Sequence, residues 1–142
     1  MKVLHLLQAK GADVVTISPG ATVADLVHRL AENNVGAVLV TGDGSTLEGI
    51  VSERDVVRSL HHDVDTLSRR VADIMTRDPD TCTHDSVTDD LMVVMTERRV
   101  RHLPVVDASG HIAGIVSIGD VVKTRIAELE FEREQLQNYL QQ

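Results

Sequence analysis

Apolar positions along this chain follow two periodicities, and they follow them in the same order twice. Val23, Leu26, Val27 and Leu30 fall at i, i+3, i+4 and i+7, which marks one face of a helix. Apolar runs at residues 36–41 and 47–51 are too short for helices and flank Gly42-Asp43-Gly44-Ser45, so they predict two strands joined by a turn. A short extended piece at 14–17 precedes the helix, and a second helix is predicted after Ser52. Downstream the order returns. An extended piece at 81–83 leads to Val87, Leu91, Val94 and Met95, a helical face that reads as having one extra residue near its start. Strands at 102–106 and 112–116 follow, joined by Asp107-Ala108-Ser109-Gly110, and another helix is predicted after Ser117. Each copy also has a leader of matching spacing, Val3, Leu6, Leu7 and Val71, Ile74, Met75. The unit is β-α-β-β-α.

Residue identities carry the duplication further. At an offset of 65, residues 25–58 lie over 90–123 without gaps, and twelve of the 34 pairs are identical. The densest stretch is Gly49-Ile50-Val51-Ser52 with Asp55, which returns as Gly114-Ile115-Val116-Ser117 with Asp120. A repeated unit of this size packs against its copy, and the shared cleft is a natural ligand site. The expected division is a first unit with its leader at 1–60, a linker and second leader at 61–79, and a second unit at 80–126. An extended helix over 119–142 completes it.

That helix runs without Gly or Pro to Tyr139. Val122, Ile126, Leu129, Leu136 and Leu140 keep a 4-3 spacing, broken by Arg133. Either the helix packs on its own domain or it seals a homodimer, and its projecting length favours the dimer. Apolar residues at 42% suffice for a core, which must be aliphatic because Phe131 and Tyr139 are the sole aromatics. The net charge of −8 argues against nucleic acid and anionic membranes as main partners. A lone Cys82 fits a reducing cytoplasm. No apolar run approaches transmembrane length, and Met1 to Leu7 is too short for a secretory signal.

Ser52 and Ser117 stand where a strand gives way to a helix, with an aspartate three places on. One reading is a capping box, which satisfies helix-end N–H groups and needs no ligand. The other uses the same geometry for binding. A helix N-terminus with a serine hydroxyl suits a phosphate, and a carboxylate one turn away can accept from both hydroxyls of a ribose. An adenine would then need an aliphatic slot, for which Val15, Val35, Gly36 and Ala37 are candidates. Arg98, Arg99, Arg101 and His102 form the dense basic cluster of an acidic chain. They either balance a helix end or meet phosphate.

The duplicated unit, the two Gly-Ile-Val-Ser-x-x-Asp signatures and Arg101-His102-Leu103-Pro104-Val105-Val106-Asp107 resemble a pair of cystathionine β-synthase (CBS) domains, a Bateman module. Ala9-Lys10-Gly11, Gly49-Ile50-Val51-Ser52-Glu53-Arg54-Asp55 and Gly114-Ile115-Val116-Ser117-Ile118-Gly119-Asp120-Val121-Val122-Lys123 resemble a subgroup of small stand-alone bacterial CBS-pair proteins. The resemblance implies an α/β fold of two tandem units related by pseudo-twofold symmetry. It also implies a regulatory module for AMP, ADP, ATP, NAD or S-adenosylmethionine that dimerises and signals to a separate effector. In one cleft it implies Ser117 and Arg101 with His102 for phosphate, Asp120 beside Gly119 for ribose, and Lys10, Val15, Gly36 and Ala37 from the first copy. In the other it implies Ser52, Asp55 and Arg54. Because Gly36-Ala37 replaces the basic pair there, the Asp120 cleft is expected to bind more tightly.

Two rival readings remain. One is a structural or interaction dimer with empty clefts; the other is a metal-linked stress protein using His61, His62, Cys82 and His84. The histidine spacing matches no structural zinc pattern, so solvated linker and no metal are expected. No Gly-x-Ser-x-Gly elbow or Walker loop is present, so no enzyme activity is expected.

Overall fold

Three helices begin on a hydroxyl-bearing residue that answers the free N–H groups of the first turn, and these caps set the frame. The computed structural model describes residues 1–141. Thr22, Ser52 and Ser117 each accept from the N–H of an aspartate three residues on, and that aspartate accepts the N–H of the cap in return. From Thr22 runs α2 (Val23–Asn33), which buries Val23, Leu26 and Leu30 and leaves Val27 at 40% exposure. It stops at Asn34, whose left-handed backbone (φ 51°) turns the chain into β2 (Ala37–Val40).

All four residues of β2 are buried, because β2 lies inside a four-stranded sheet. It pairs antiparallel with β3 (Gly49–Ser52), Ala37 opposite Ser52, and parallel with β1 (Thr16–Ile17). The turn between β2 and β3 is held by Asp43, whose carboxylate accepts the N–H groups of Thr46 and Ser45. Those bonds hold its carboxyl far below the usual range. From β3 the chain enters α3 (Glu53–His62).

The second repeat gives α5 (Thr88–Arg98), β5 (His102–Val106), β6 (Ile112–Ser117) and α6 (Ile118–Leu140). Residues 81–83 form no strand of their own; Cys82 makes a single parallel bridge to Val105. The extra residue expected at the start of α5 is absent. Thr88 holds the buried place that Val23 holds in α2, while Val87 is an N-cap at 37% exposure. Residues 61–70 also differ from a solvated linker. The α3 helix continues to His62, and Thr66 is fully buried, sharing a 2.6 Å hydrogen bond with the Ser59 hydroxyl.

The leaders depart most from chain order. The first, α1 (Val3–Lys10), places Val3, Leu6 and Leu7 in the core of the second repeat with Leu91, Met95, Leu103 and Val116. The second, α4 (Val71–Ile74), packs Val71, Ile74 and Met75 into the core of the first repeat. The exchange is reciprocal in its hydrogen bonds. Val3 N–H donates to Ser86 O (2.8 Å) and Thr88 N–H to Met1 O (2.8 Å); their mates are Val71 N–H to Ala21 O (2.8 Å) and Val23 N–H to Arg69 O (2.9 Å). Thr46 and His111, equivalent positions of the two repeats, bridge each other, as a local twofold axis requires. The expected grouping of each leader with the unit that follows it is therefore not the packing observed.

This exchange explains the glycine that opens each signature. A Cβ on Gly49 would lie 2.6 Å from the Thr76 carbonyl oxygen, in the short strand β4 (Thr76–Arg77) that adds to β3. A Cβ on Gly114 would lie 3.0 Å from Leu7. Each glycine lets a visiting leader close on the strand.

Helix α6 packs its first turns against α5 and buries Val121. Beyond Glu128 it leaves the body, and Leu129, Phe131, Leu136, Tyr139 and Leu140 are exposed. Packing on its own domain accounts for the first part of the helix only. The last residue of the expected 119–142 helix, Gln142, lies outside the described residues.

Candidate functional site

The end of β3, the start of β2 and the α5–β5 connection meet where the two repeats face each other. Between them lies a cavity of about 370 Å³, near the lower end of the roughly 300–1,000 Å³ typical of small-molecule sites. Ala37, Ile50, Pro79, Val100 and Leu103 give it an apolar wall. Ser52, Asp55 and Thr76 supply polar groups, and Arg54, Arg58, Arg98, Arg99, Arg101 and His102 supply a basic side. Glu53, Asp78 and Asp80 also reach the lining.

Both readings of the Ser-x-x-Asp pair hold at this corner. The Asp55 carboxylate accepts the Ser52 N–H (2.8 Å) and hydroxyl (3.0 Å), both on Oδ2. Among the described residues its Oδ1 makes no hydrogen bond, so capping leaves an acceptor free at the cavity wall. No carboxylate lies within ion-pair distance of Arg54, Arg58, Arg99 or Arg101 among the described residues, whereas Arg98 is tied to Asp80 at 2.7 Å.

The second corner is built alike but closed by its own chain. Asp120 accepts the Ser117 N–H at 2.9 Å, and the Lys10 ammonium sits on the same oxygen at 2.6 Å. The ammonium also donates to the Ile115 carbonyl at 2.8 Å. Burial works to raise the Asp120 carboxyl, but Lys10 and the Ser117 bonds together hold it below its ordinary value. By the leader spacing that matches Val3 to Val71, the counterpart of Lys10 is Asp78, which lines the Asp55 cavity and cannot close it this way. Lys10→Met is expected to let the Asp120 pKa rise toward its ordinary value, followed by carboxyl NMR titration. The sign follows from the lowered native value. The stability this pair contributes is present above the unfolded-state pKa and lost as pH falls through the folded one.

His102 lies between the corners. Burial first, then Arg101, holds its imidazole below the ordinary value, against the pull of Asp120 and Glu53. It is therefore neutral near pH 7, and a phosphate placed beside it would favour the charged form.

The structure regroups the residues expected from sequence. Gly36, Ala37, Arg101 and His102, assigned to the Asp120 cleft, line the cavity of Ser52, Arg54 and Asp55. The strand entry of one repeat faces across the junction, so its side chains serve the neighbour's corner. Lys10 does sit at Asp120, though as its ion-pair partner. Val15 packs against the first core, its carbonyl accepting from Leu39 N–H at 3.2 Å. Gly119 is exposed in the first turn of α6. Ile50, Arg58, Thr76 and Pro79 were missed; alternation along β3, with Val51 inward, could have pointed to Ile50.

His61 and His62 stack edge-on at 5.0 Å on the exposed end of α3. Among the described residues no three His, Cys, Asp or Glu side chains are grouped to hold a metal. Burial pushes the Cys82 thiol up to about 11, so it stays protonated at neutral pH. Among the described residues no helix is long and apolar enough to cross a membrane.

Two β-α-β-β-α repeats with exchanged leaders and a cavity at their junction define a paired α/β module. The CBS domain profile matches residues 10–62 and 71–126, and the chain belongs to that family. It is 42% identical to a CBS-domain containing protein of Agrobacterium tumefaciens, whose crystal structure superposes with a TM-score of 0.84 over 88% of this chain and 99% of that one. It is 39% identical over 125 residues to CBSX3, a mitochondrial CBS domain-containing protein of Arabidopsis thaliana, covering 84% of this chain and 60% of that relative's length. CBSX2, solved in complex with AMP, is 30% identical with a TM-score of 0.70, over 80% of this chain and 88% of that one.

Proposed function

We propose that this chain is a regulatory module that binds an adenosine 5′-phosphate (AMP, ADP, ATP or NAD) in the Asp55 cavity. The adenine lies against Ala37, Ile50 and Leu103, and the ribose hydroxyls donate to Asp55 Oδ1. The first phosphate is met by Arg101 and His102, and by the Ser52 hydroxyl once it turns its proton from Asp55 Oδ2 to the ligand. One observation carries the reading: a free carboxylate oxygen, an apolar wall and unpaired cations converge in a single cleft between the repeats. The complex of CBSX2 with AMP supports it by kinship.

In this reading the ligand shifts the tilt of the repeats through unequal affinity for two arrangements, and a separate protein hears the change. The exposed 4-3 stripe of α6 is the surface for a homodimer. The direct test is mass spectrometry of ligand released from gently purified, then denatured protein, followed by calorimetric titration with the four nucleotides. Saturable binding of at least one is expected. Folded protein that takes up none of them at millimolar concentration would end the proposal and leave a constitutive interaction module.

A further inference from the structure

We propose that the ligand of the Asp55 cleft carries two or more linked phosphates, and that an arginine groove beyond the first phosphate selects them over a monophosphate. The inference rests on the nucleotide reading and deepens it. A second cavity of about 750 Å³ adjoins the first, and both are lined by Arg54, Arg58, Arg98, Arg99 and Arg101. Four carboxylates face those arginines in the inner cavity, whereas none lines the outer one, which Met95, Thr96 and Ile118 complete. Five of the fourteen cationic side chains of a chain with net charge −8 thus edge one groove.

Asp80 answers Arg98, but Arg54, Arg58, Arg99 and Arg101 have no ion-pair partner among the described residues, and like charge held this close favours a polyanion. A monophosphate held by Ser52, Arg101 and His102 leaves Arg58 and Arg99 without a partner. A pyrophosphoryl or triphosphoryl tail offers further oxygens in the geometry that guanidinium groups bind in pairs.

The backbone at Arg99 points the same way. Arg99 ends α5 in the left-handed region at φ 55°, where the equivalent residue of the first repeat is Asn34 at φ 51°. Asparagine tolerates that conformation better than a long side chain does. An arginine there gives up local stability to hold a cation at the groove.

The test is calorimetric titration with AMP, ADP, ATP, NAD and inorganic tripolyphosphate. The proteins are the native chain, Asp55→Asn, and a double variant with Arg58→Gln and Arg99→Asn. Asparagine at 99 suits the backbone, so the double variant is expected to fold. ADP, ATP or NAD should bind about tenfold more tightly than AMP, and the double variant should reduce that preference to about twofold by weakening the longer esters more than AMP. Preference for ADP and ATP over NAD identifies a terminal phosphate chain; the reverse identifies a dinucleotide. Equal affinity for AMP and the longer esters, or a preference that survives the double variant, overturns the inference. Arginine-dependent binding of tripolyphosphate with no uptake of any adenosine ligand would keep the groove and remove the nucleotide reading. AMP binding lost in Asp55→Asn, with no gain from added phosphates, would do the opposite.

Discussion

Leu7→Ala is expected to destabilise the second repeat, not the first, by about 3 kcal/mol. Leu7 precedes the first repeat in the chain, yet its side chain is 4% exposed within the core that holds Leu91, Met95, Leu103 and Val116. It also packs against Gly114, so no neighbouring side chain stands ready to fill the space. Cavities that cannot collapse give the larger costs of such truncations. Native-state hydrogen exchange is the discriminating measurement, because it resolves local opening. Amides of β5, β6 and α5 should lose protection while those of β2, β3 and α2 keep theirs. Loss confined to the first repeat would contradict the leader exchange. A reciprocal variant, Val71→Ala, should reverse the pattern, since Val71 is fully buried in the first core.

That exchange also marks where sequence reasoning stops. The repeated unit was legible because Gly49 to Ser52 with Asp55 and Gly114 to Ser117 with Asp120 fix the same strand-to-helix corner twice. The helix faces were legible because Val23, Leu26 and Leu30 share a 3.6-residue period that burial alone explains. The leaders were legible as apolar segments but not as visitors. Val3, Leu6 and Leu7 would satisfy either core, since both are aliphatic, and periodicity names the face of a helix rather than its host. The same limit moved Arg101 and His102. Pairing placed His102 opposite Ser117 on the neighbouring strand, while the cleft it lines belongs to Ser52 and Asp55. Lys10 shows a third kind of gap. The resemblance brought it to the Asp120 cleft as a contribution from the first copy, but nothing in the sequence shows that its ammonium already sits on the carboxylate.

Asp55→Asn is expected to weaken adenosine-nucleotide binding about 30-fold, whereas Asp120→Asn should change it by less than about twofold. The first figure corresponds to ~2 kcal/mol, the loss when a ribose diol exchanges a charged acceptor for an amide. Asparagine keeps one oxygen for the Ser52 N–H, so α3 retains its cap and the effect reports on the ligand. At Asp120 the Lys10 ammonium already holds Oδ2 and the Ile115 carbonyl, so a ribose diol that takes both carboxylate oxygens has to displace it. That pair is partly exposed, so it is worth at most about 1 kcal/mol, or about fivefold in affinity. It biases occupancy toward Asp55 without sealing the second corner. Two features of the Asp55 side add to the bias: a cavity of small-molecule size, and Arg54, Arg58, Arg99 and Arg101, which have no carboxylate within ion-pair distance among the described residues. Titration of both variants, each checked for native unfolding behaviour, decides between the corners. A larger loss in Asp120→Asn than in Asp55→Asn would mean that Lys10 yields readily and serves the phosphate itself, returning the principal site to the second repeat.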